Sequence, residues 1–164
     1  MKTYQYCTPE WLEDSGKYYY ENPEFEELLQ KVSWKMCFRV KADQSWGIDE
    51  DIIFGTFFDQ GKLTRIGFFT EEEALAEADF LLAATPQNWK SILTKKSRFT
   101  PDFMSGKVVL EHGDKVKVVT IAPYANTIVN ALTPYPVVYP DDMTGQEVEE
   151  YRENMKRFRA ELGV

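Results

Sequence analysis

Apolar positions along this chain change period several times, and each change marks an element. Thr8-Pro9 is a helix start, a hydroxyl available as cap followed by a proline at the first helical position. Trp11, Leu12, Ser15 and Tyr18 or Tyr19 then fall at helical spacing. Asn22-Pro23 repeats the signal and opens a helix with Phe25, Leu28, Leu29 and Val32 on one face. Glu24, Glu26 and Glu27 occupy its first turns, where the helix dipole favours negative charge. The period then drops to two. Met36, Phe38 and Val40 alternate with Cys37, Arg39 and Lys41, which predicts a half-buried strand. Gly47 breaks it, Ile52 to Phe58 forms a second strand, and Asp59-Gln60-Gly61-Lys62 is a hairpin turn into a third from Leu63 to Phe69. Two consecutive hairpins predict an antiparallel meander.

Beyond the meander the signals mix. Glu71 to Glu77 reads as a short helix or a loop, leading into a strand from Ala78 to Ala84. Thr85-Pro86 starts a helix with Trp89, Ile92 and Leu93 on one side. Ser97 to Ser105 reads as loop and Lys107 to Glu111 as a fifth strand, after a turn at Gly106. After Gly113-Asp114 two patterns compete. Lys115 to Val118 alternate as a strand would, whereas Val116, Val119, Ala122, Ile128, Val129 and Leu132 fit a helix, bent or restarted at Pro123. The helix is the preferred reading. Thr133 to Pro140, with three prolines, is an extended linker. Thr144 and Glu147 then form a capping box, and Val148, Tyr151, Met155, Phe158 and Leu162 follow at 3-4-3-4 spacing. A stripe that narrow docks onto its own domain or forms a seam with a second copy.

Composition narrows the class. The 164 residues are 43% hydrophobic and 28% charged, enough for one domain with a real core and too apolar for bulk disorder. Aromatic content of 15% suits a thick core or a ligand-lined cavity. The net charge of −8 is uneven. Residues 1–85 carry 8 basic and 17 acidic side chains, residues 86–120 carry 7 and 3, and residues 121–164 carry 4 and 7. An acidic chain without an extended basic stripe is a poor nucleic-acid binder. The basic middle segment is a solvated face or a surface for transient membrane contact. No apolar run approaches the ~18–20 residues that span a bilayer, and no leader pattern opens the chain. Cys7 and Cys37 lie far apart without a C-x-x-C, and read as reduced thiols of a cytoplasmic protein, though spacing alone leaves a disulfide between them open.

Catalytic constellations are scarce. His112 is the single histidine and sits beside Gly113 at a strand end, so any nucleophilic triad or histidine-zinc site would depend on an exposed turn residue. No glycine-rich phosphate loop or dinucleotide fingerprint is present. Asp49-Glu50-Asp51 and Asp141-Asp142 are acidic clusters, but each precedes an element, where solvated carboxylates are ordinary. No catalytic residue, metal ligand or cofactor is implied.

The order of these elements resembles the sterol carrier protein 2 family. The resemblance runs from about Asn22 to about Leu132 and is carried by the Phe25-Leu28-Leu29 helix, the Phe38-Val40 strand, Gly47-Ile48 and the Asp59 to Leu63 hairpin. It continues through Ala78-Asp79-Phe80, the Trp89-Ile92-Leu93 helix, Phe103-Met104-Ser105-Gly106-Lys107-Val108 and Gly113-Asp114. Trp89 makes it closer to stand-alone bacterial or archaeal members than to the animal protein. The family's C-terminal peroxisomal address is absent, since the sequence closes on Glu161-Leu162-Gly163-Val164, and Thr133 to Val164 lies beyond the ordinary domain. The resemblance implies an α+β fold, a five-stranded, mainly antiparallel sheet covered by helices on one face, with an apolar tunnel between them. It implies a single domain over residues 1–164, with 133–164 as an extension packed on the domain or at a homodimer seam. It also implies a non-enzymatic protein that binds or transfers an elongated hydrophobic ligand such as a fatty acid, acyl-CoA, phospholipid or other lipid. Phe54, Phe80, Leu82, Trp89 and Phe103 are expected near that cavity, with Met104, Val119, Ile128 and Leu132. Two other functions fit the same pattern: a structural or dimerisation module with a filled core, and an enzyme or accessory domain using the cavity as substrate site.

Overall fold

The computed structural model describes residues 2–164. Its centre is a five-stranded mixed sheet, to which β2 (Lys35–Val40), β3 (Ile52–Asp59) and β4 (Lys62–Phe69) contribute the expected antiparallel meander. The β3–β4 turn places Gln60 and Gly61 at φ 50° and 83°, the two left-handed residues of a tight hairpin whose twist matches its strands. Phe80–Ala84 forms β5 and lies parallel to β2 in the register Met36↔Phe80, so the chain crosses from one edge of the meander to the other. Val109–His112 (β6) closes that edge antiparallel to β5. A separate two-residue pairing joins β1 (Tyr4–Gln5) in parallel to β7 (Val137–Val138).

Helices lie on both faces rather than one. On the larger face Met36, Phe38, Ile52, Phe54, Phe80 and Leu82 meet the helices that pack there. Those are α1 (Pro9–Glu21), α4 (Pro86–Leu93), α5 (Phe99–Met104) and α7 (Ala125–Leu132), joined by Phe25 from the five-residue α2 (Glu24–Leu28). On the opposite face Cys37, Ile53, Phe57, Phe69 and Leu81 form a second, smaller cluster with Ala74 and Ala78. Ala74 belongs to α3 (Glu71–Glu77), started by a reciprocal capping box between Thr70 and Glu73. A helix on the second face explains why Cys37, placed by alternation on the polar side of its strand, is fully buried.

Several local expectations are corrected. Thr8 precedes α1 but its hydroxyl donates to the Gln5 carbonyl at 2.7 Å and does not cap the helix. The second helix ends after five residues, which leaves Leu28 exposed while Leu29 and Val32 stay buried. The segment read as a loop around Pro101 contains α5, in which Phe99 and Phe103, one turn apart, stack with ring centroids 5.9 Å apart. The helix expected from 115 to 132 is interrupted: α6 (Lys115–Val119) is followed by a 3₁₀ turn at Ala122–Tyr124 and then by α7. Pro123 sits inside that turn, where its missing N–H costs no α-helical hydrogen bond. Cys7 and Cys37 are both free and buried, in the clusters on opposite faces of the sheet.

The last helix, α8 (Gly145–Leu162), starts with its capping box intact. Tyr151, Met155 and Phe158 are buried against the rest of the chain, whereas Leu162 is exposed. Tyr151 donates its hydroxyl hydrogen to the Tyr6 carbonyl, and Phe158 packs on Phe68 at 5.3 Å. Arg152 reaches Asp49 and the Gln44 carbonyl, and Arg159 donates to the carbonyls of Glu50 and Asp51 at 2.9 and 2.7 Å. Among the described residues no helix is long and apolar enough to cross a membrane.

Candidate functional site

An apolar cavity of about 50 Å³ lies between the larger face of the sheet and the helices. Its floor is set by strand alternation, with Met36 and Phe38 from β2, Phe54 from β3 and Leu82 from β5. Its roof is Trp89, Ile92 and Leu93 of α4 and Phe99 of α5. Ile121, Ala125, Ile128, Val129, Leu132 and Tyr6 complete the lining. Among the described residues no charged side chain lines it.

Hydrogen bonds anchor this wall from outside. The Trp89 indole N–H donates to the Arg39 carbonyl at 2.9 Å, and its ring meets Phe38 edge-on at 5.6 Å. That bond fixes α4 over the C-terminal half of β2. The Trp11 indole N–H donates to the Leu132 carbonyl at 2.8 Å, tying the end of α7 to α1. Arg39, on the far face of the sheet, is shared between Glu111 at 2.7 Å, Glu71 at 3.0 Å and Asp51 at 3.5 Å.

Phe54, Leu82, Trp89, Ile128 and Leu132, all expected near the cavity, line it. Phe80 is fully buried on the same sheet face without reaching the void, and Phe103 stands behind Phe99. Met104 and Val119 are corrected. They are 65% and 45% exposed, because each falls on the outer side of a short helix whose inner side is held by a neighbour, Phe103 in α5 and Val118 in α6. Met36 and Phe38 also line the cavity, on the apolar side of the alternation read for their own strand. Tyr6 and Ile121 lie in segments with no periodicity, and nothing local marks them.

The residues with chemistry elsewhere are held in structural roles. Asp49 pairs with Arg152 and Lys156, Asp51 accepts from the Ala42 N–H at 2.8 Å, and Asp141 and Asp142 pair with Lys90 at 2.9 and 3.5 Å. Burial pushes the Cys37 thiol up to about 12 and raises Cys7 further. Among the described residues no group of histidine, cysteine and carboxylates has the arrangement to hold a metal.

Neither a scan of protein-family models nor a search of curated proteins finds a match to the sequence. Solved structures do match. The conserved hypothetical protein TT1886 of Thermus thermophilus, itself named only as a candidate sterol carrier protein, superposes with a TM-score of 0.66 at 19% identity, over 80% of this chain and 90% of that one. A crystal structure of sterol carrier protein 2 gives a TM-score of 0.62 at 19% identity, over 78% of this chain and 95% of that one. The apo form of sterol carrier protein 2 from Yarrowia lipolytica gives 0.54 at 16% identity, over 76% of this chain and 88% of that one. Identities this low speak to architecture alone, and the sheet with its helical layers agrees: the chain has the fold of sterol carrier protein 2.

Proposed function

We propose that this protein binds an elongated hydrophobic ligand between its sheet and its helical roof and passes it on without catalysing a reaction. The observation that carries the reading is a continuous apolar wall, contributed by both layers of a fold shared with sterol carrier protein 2. Removing a lipid chain from water contributes about 0.8 kcal/mol per CH₂, so such a wall can hold a ligand without an elaborate polar motif. A volume of about 50 Å³ accommodates no such chain, so uptake requires the roof to part from the sheet. The interrupted run α6–3₁₀–α7 is the natural place, being three short pieces in place of one long helix. Exposed Met104, Val116 and Val119 lie in the same stretch of sequence as Lys95, Lys96, Lys107, Lys115 and Lys117, and would serve transient contact with an anionic membrane during transfer.

The small volume also favours a second reading, a structural module whose core is simply filled. Native mass spectrometry of freshly purified protein separates the two. A lipid-mass adduct that dissociates on activation supports the carrier. An adduct-free protein that also fails to take up a long-chain alcohol, fatty acid or acyl-CoA from excess supports the filled core.

A further inference from the structure

We infer that the cavity has a polar end, built at Thr56, and that its ligand is an uncharged amphiphile: a long apolar chain ending in a hydroxyl or carbonyl group. This rests on the carrier reading and says which way round the ligand lies. Thr56 follows Phe54 by two residues on β3, so both side chains face the helices. Phe54 lines the main cavity, while Thr56 lines a second void of about 10 Å³ with Ser15 and Tyr19 of α1 and Ile66 of β4. Ile128 and Leu132 of α7 line both voids. The two are therefore divided by aliphatic side chains that a rotamer change would move, and joining them makes one channel along the larger face of the sheet.

The polar end is defined by an unpaired hydroxyl. Thr56 is 2% exposed, and its Oγ1 has no hydrogen-bond partner. Such a group is a standing destabilisation that a valine of the same shape would remove. The void beside it is at the lower limit of the ~10–15 Å³ a water needs, so a water fits there poorly. The neighbouring Tyr19 hydroxyl donates its hydrogen to the Gly61 carbonyl and makes no hydrogen bond with Thr56. A ligand group that opens the partition and reaches Thr56 satisfies it. That group is uncharged, because no basic side chain lines either void and a carboxylate or phosphate there would be buried without a counter-charge.

The test uses the full chain with 1-tetradecanol, tetradecane and tetradecanoate, each delivered from cyclodextrin, with Kd measured by titration calorimetry at pH 8. The wild type is expected to bind the alcohol about fivefold or more tighter than the alkane, and the carboxylate more weakly than the alcohol. Thr56→Val should bring the alcohol to the level of the alkane, leave alkane affinity within about twofold, and melt no lower than the wild type. Thr56→Ser, which keeps the hydroxyl, should retain the preference and guards against a valine variant that misfolds. Equal binding of alcohol and alkane by the wild type overturns the polar end and leaves the carrier reading standing. An alcohol preference that survives in Thr56→Val overturns it too. So does a loss that falls instead on Tyr6→Phe, the other buried hydroxyl without a hydrogen bond. If neither wild type nor variant binds any of the three probes, the carrier reading falls and this inference with it.

Discussion

Trp89 joins sheet and roof, through its indole N–H on the Arg39 carbonyl and through the face it turns to the cavity. Its emission should shift when a long-chain ligand enters, and the shift should shrink in Trp89→Phe, measured against the background of Trp11, Trp34 and Trp46. An identical spectral response in that variant would remove Trp89 from the ligand's path. The two cysteines allow a second measurement. The thiolate is the reactive form, and burial holds both thiols protonated well above pH 8. Ellman's reagent should therefore find neither thiol in the folded protein at pH 8 and both after denaturation, and prompt native labelling would show that one face of the sheet opens readily. At this scale the sequence was partly readable. Phe54 and Leu82 fell within strands read from the sequence, and helical spacing marked Trp89, Ile128 and Leu132. Met104 and Val119 were misplaced because an apolar residue in a short helix has no second turn to say which side faces inward. Thr56 carried no signal at all, since a threonine in a strand is ordinary until its hydroxyl is seen to lack a partner.

Among the elements, α8 shows how a local rule becomes a tertiary one. Its capping box fixes the start and its stripe fixes the docked face. Burying Tyr151, Met155 and Phe158 contributes about 1.5–3 kcal/mol for each side chain before conformational entropy is subtracted. Deleting Thr144 to Val164 should accordingly lower the melting temperature by several degrees or more, whereas an unchanged melt and unchanged ligand binding would make the helix dispensable. The capping boxes also set an acid limit. Backbone hydrogen bonds from Thr144 and Thr70 hold the Glu147 and Glu73 carboxyls below the usual glutamate range. Groups with a depressed folded pKa contribute stability above the unfolded value of about 4.3 and lose it as pH falls through the folded one. The melting temperature should thus decline below about pH 4.3, and less steeply in Glu147→Gln. Strong local signals of this kind (a capping box, a Gly-containing hairpin turn, a clean alternation) were legible. The elements missed or misjudged were α5, the extent of the second helix, the break in the helix expected over 115–132, and the β1–β7 pair, which joins residues more than 130 apart in sequence.

On the scale of the whole molecule, the proposed ligand uptake would mean prising apart two layers now in contact. Hydrogen exchange should show α7 and the 3₁₀ turn before it as the least protected part of the roof, with protection rising when ligand is added. Uniform protection equal to that of β2 and β3 would argue for a filled core. The parallel β1–β7 pair adds a constraint of another kind. Tyr6, one wall of the cavity, is fastened by partners more than 130 residues later: its N–H donates to the Val138 carbonyl at 3.0 Å and its own carbonyl accepts from Tyr151. On a ribosome, all five strands of the sheet and most of the roof leave the exit tunnel before either partner does. The nascent domain thus passes through a stage with its sheet formed and its Tyr6 side unfastened, when a lipid could enter without forcing α7 aside. A first ligand acquired then, during synthesis, would be locked in once Val138 and Tyr151 emerge and fasten Tyr6.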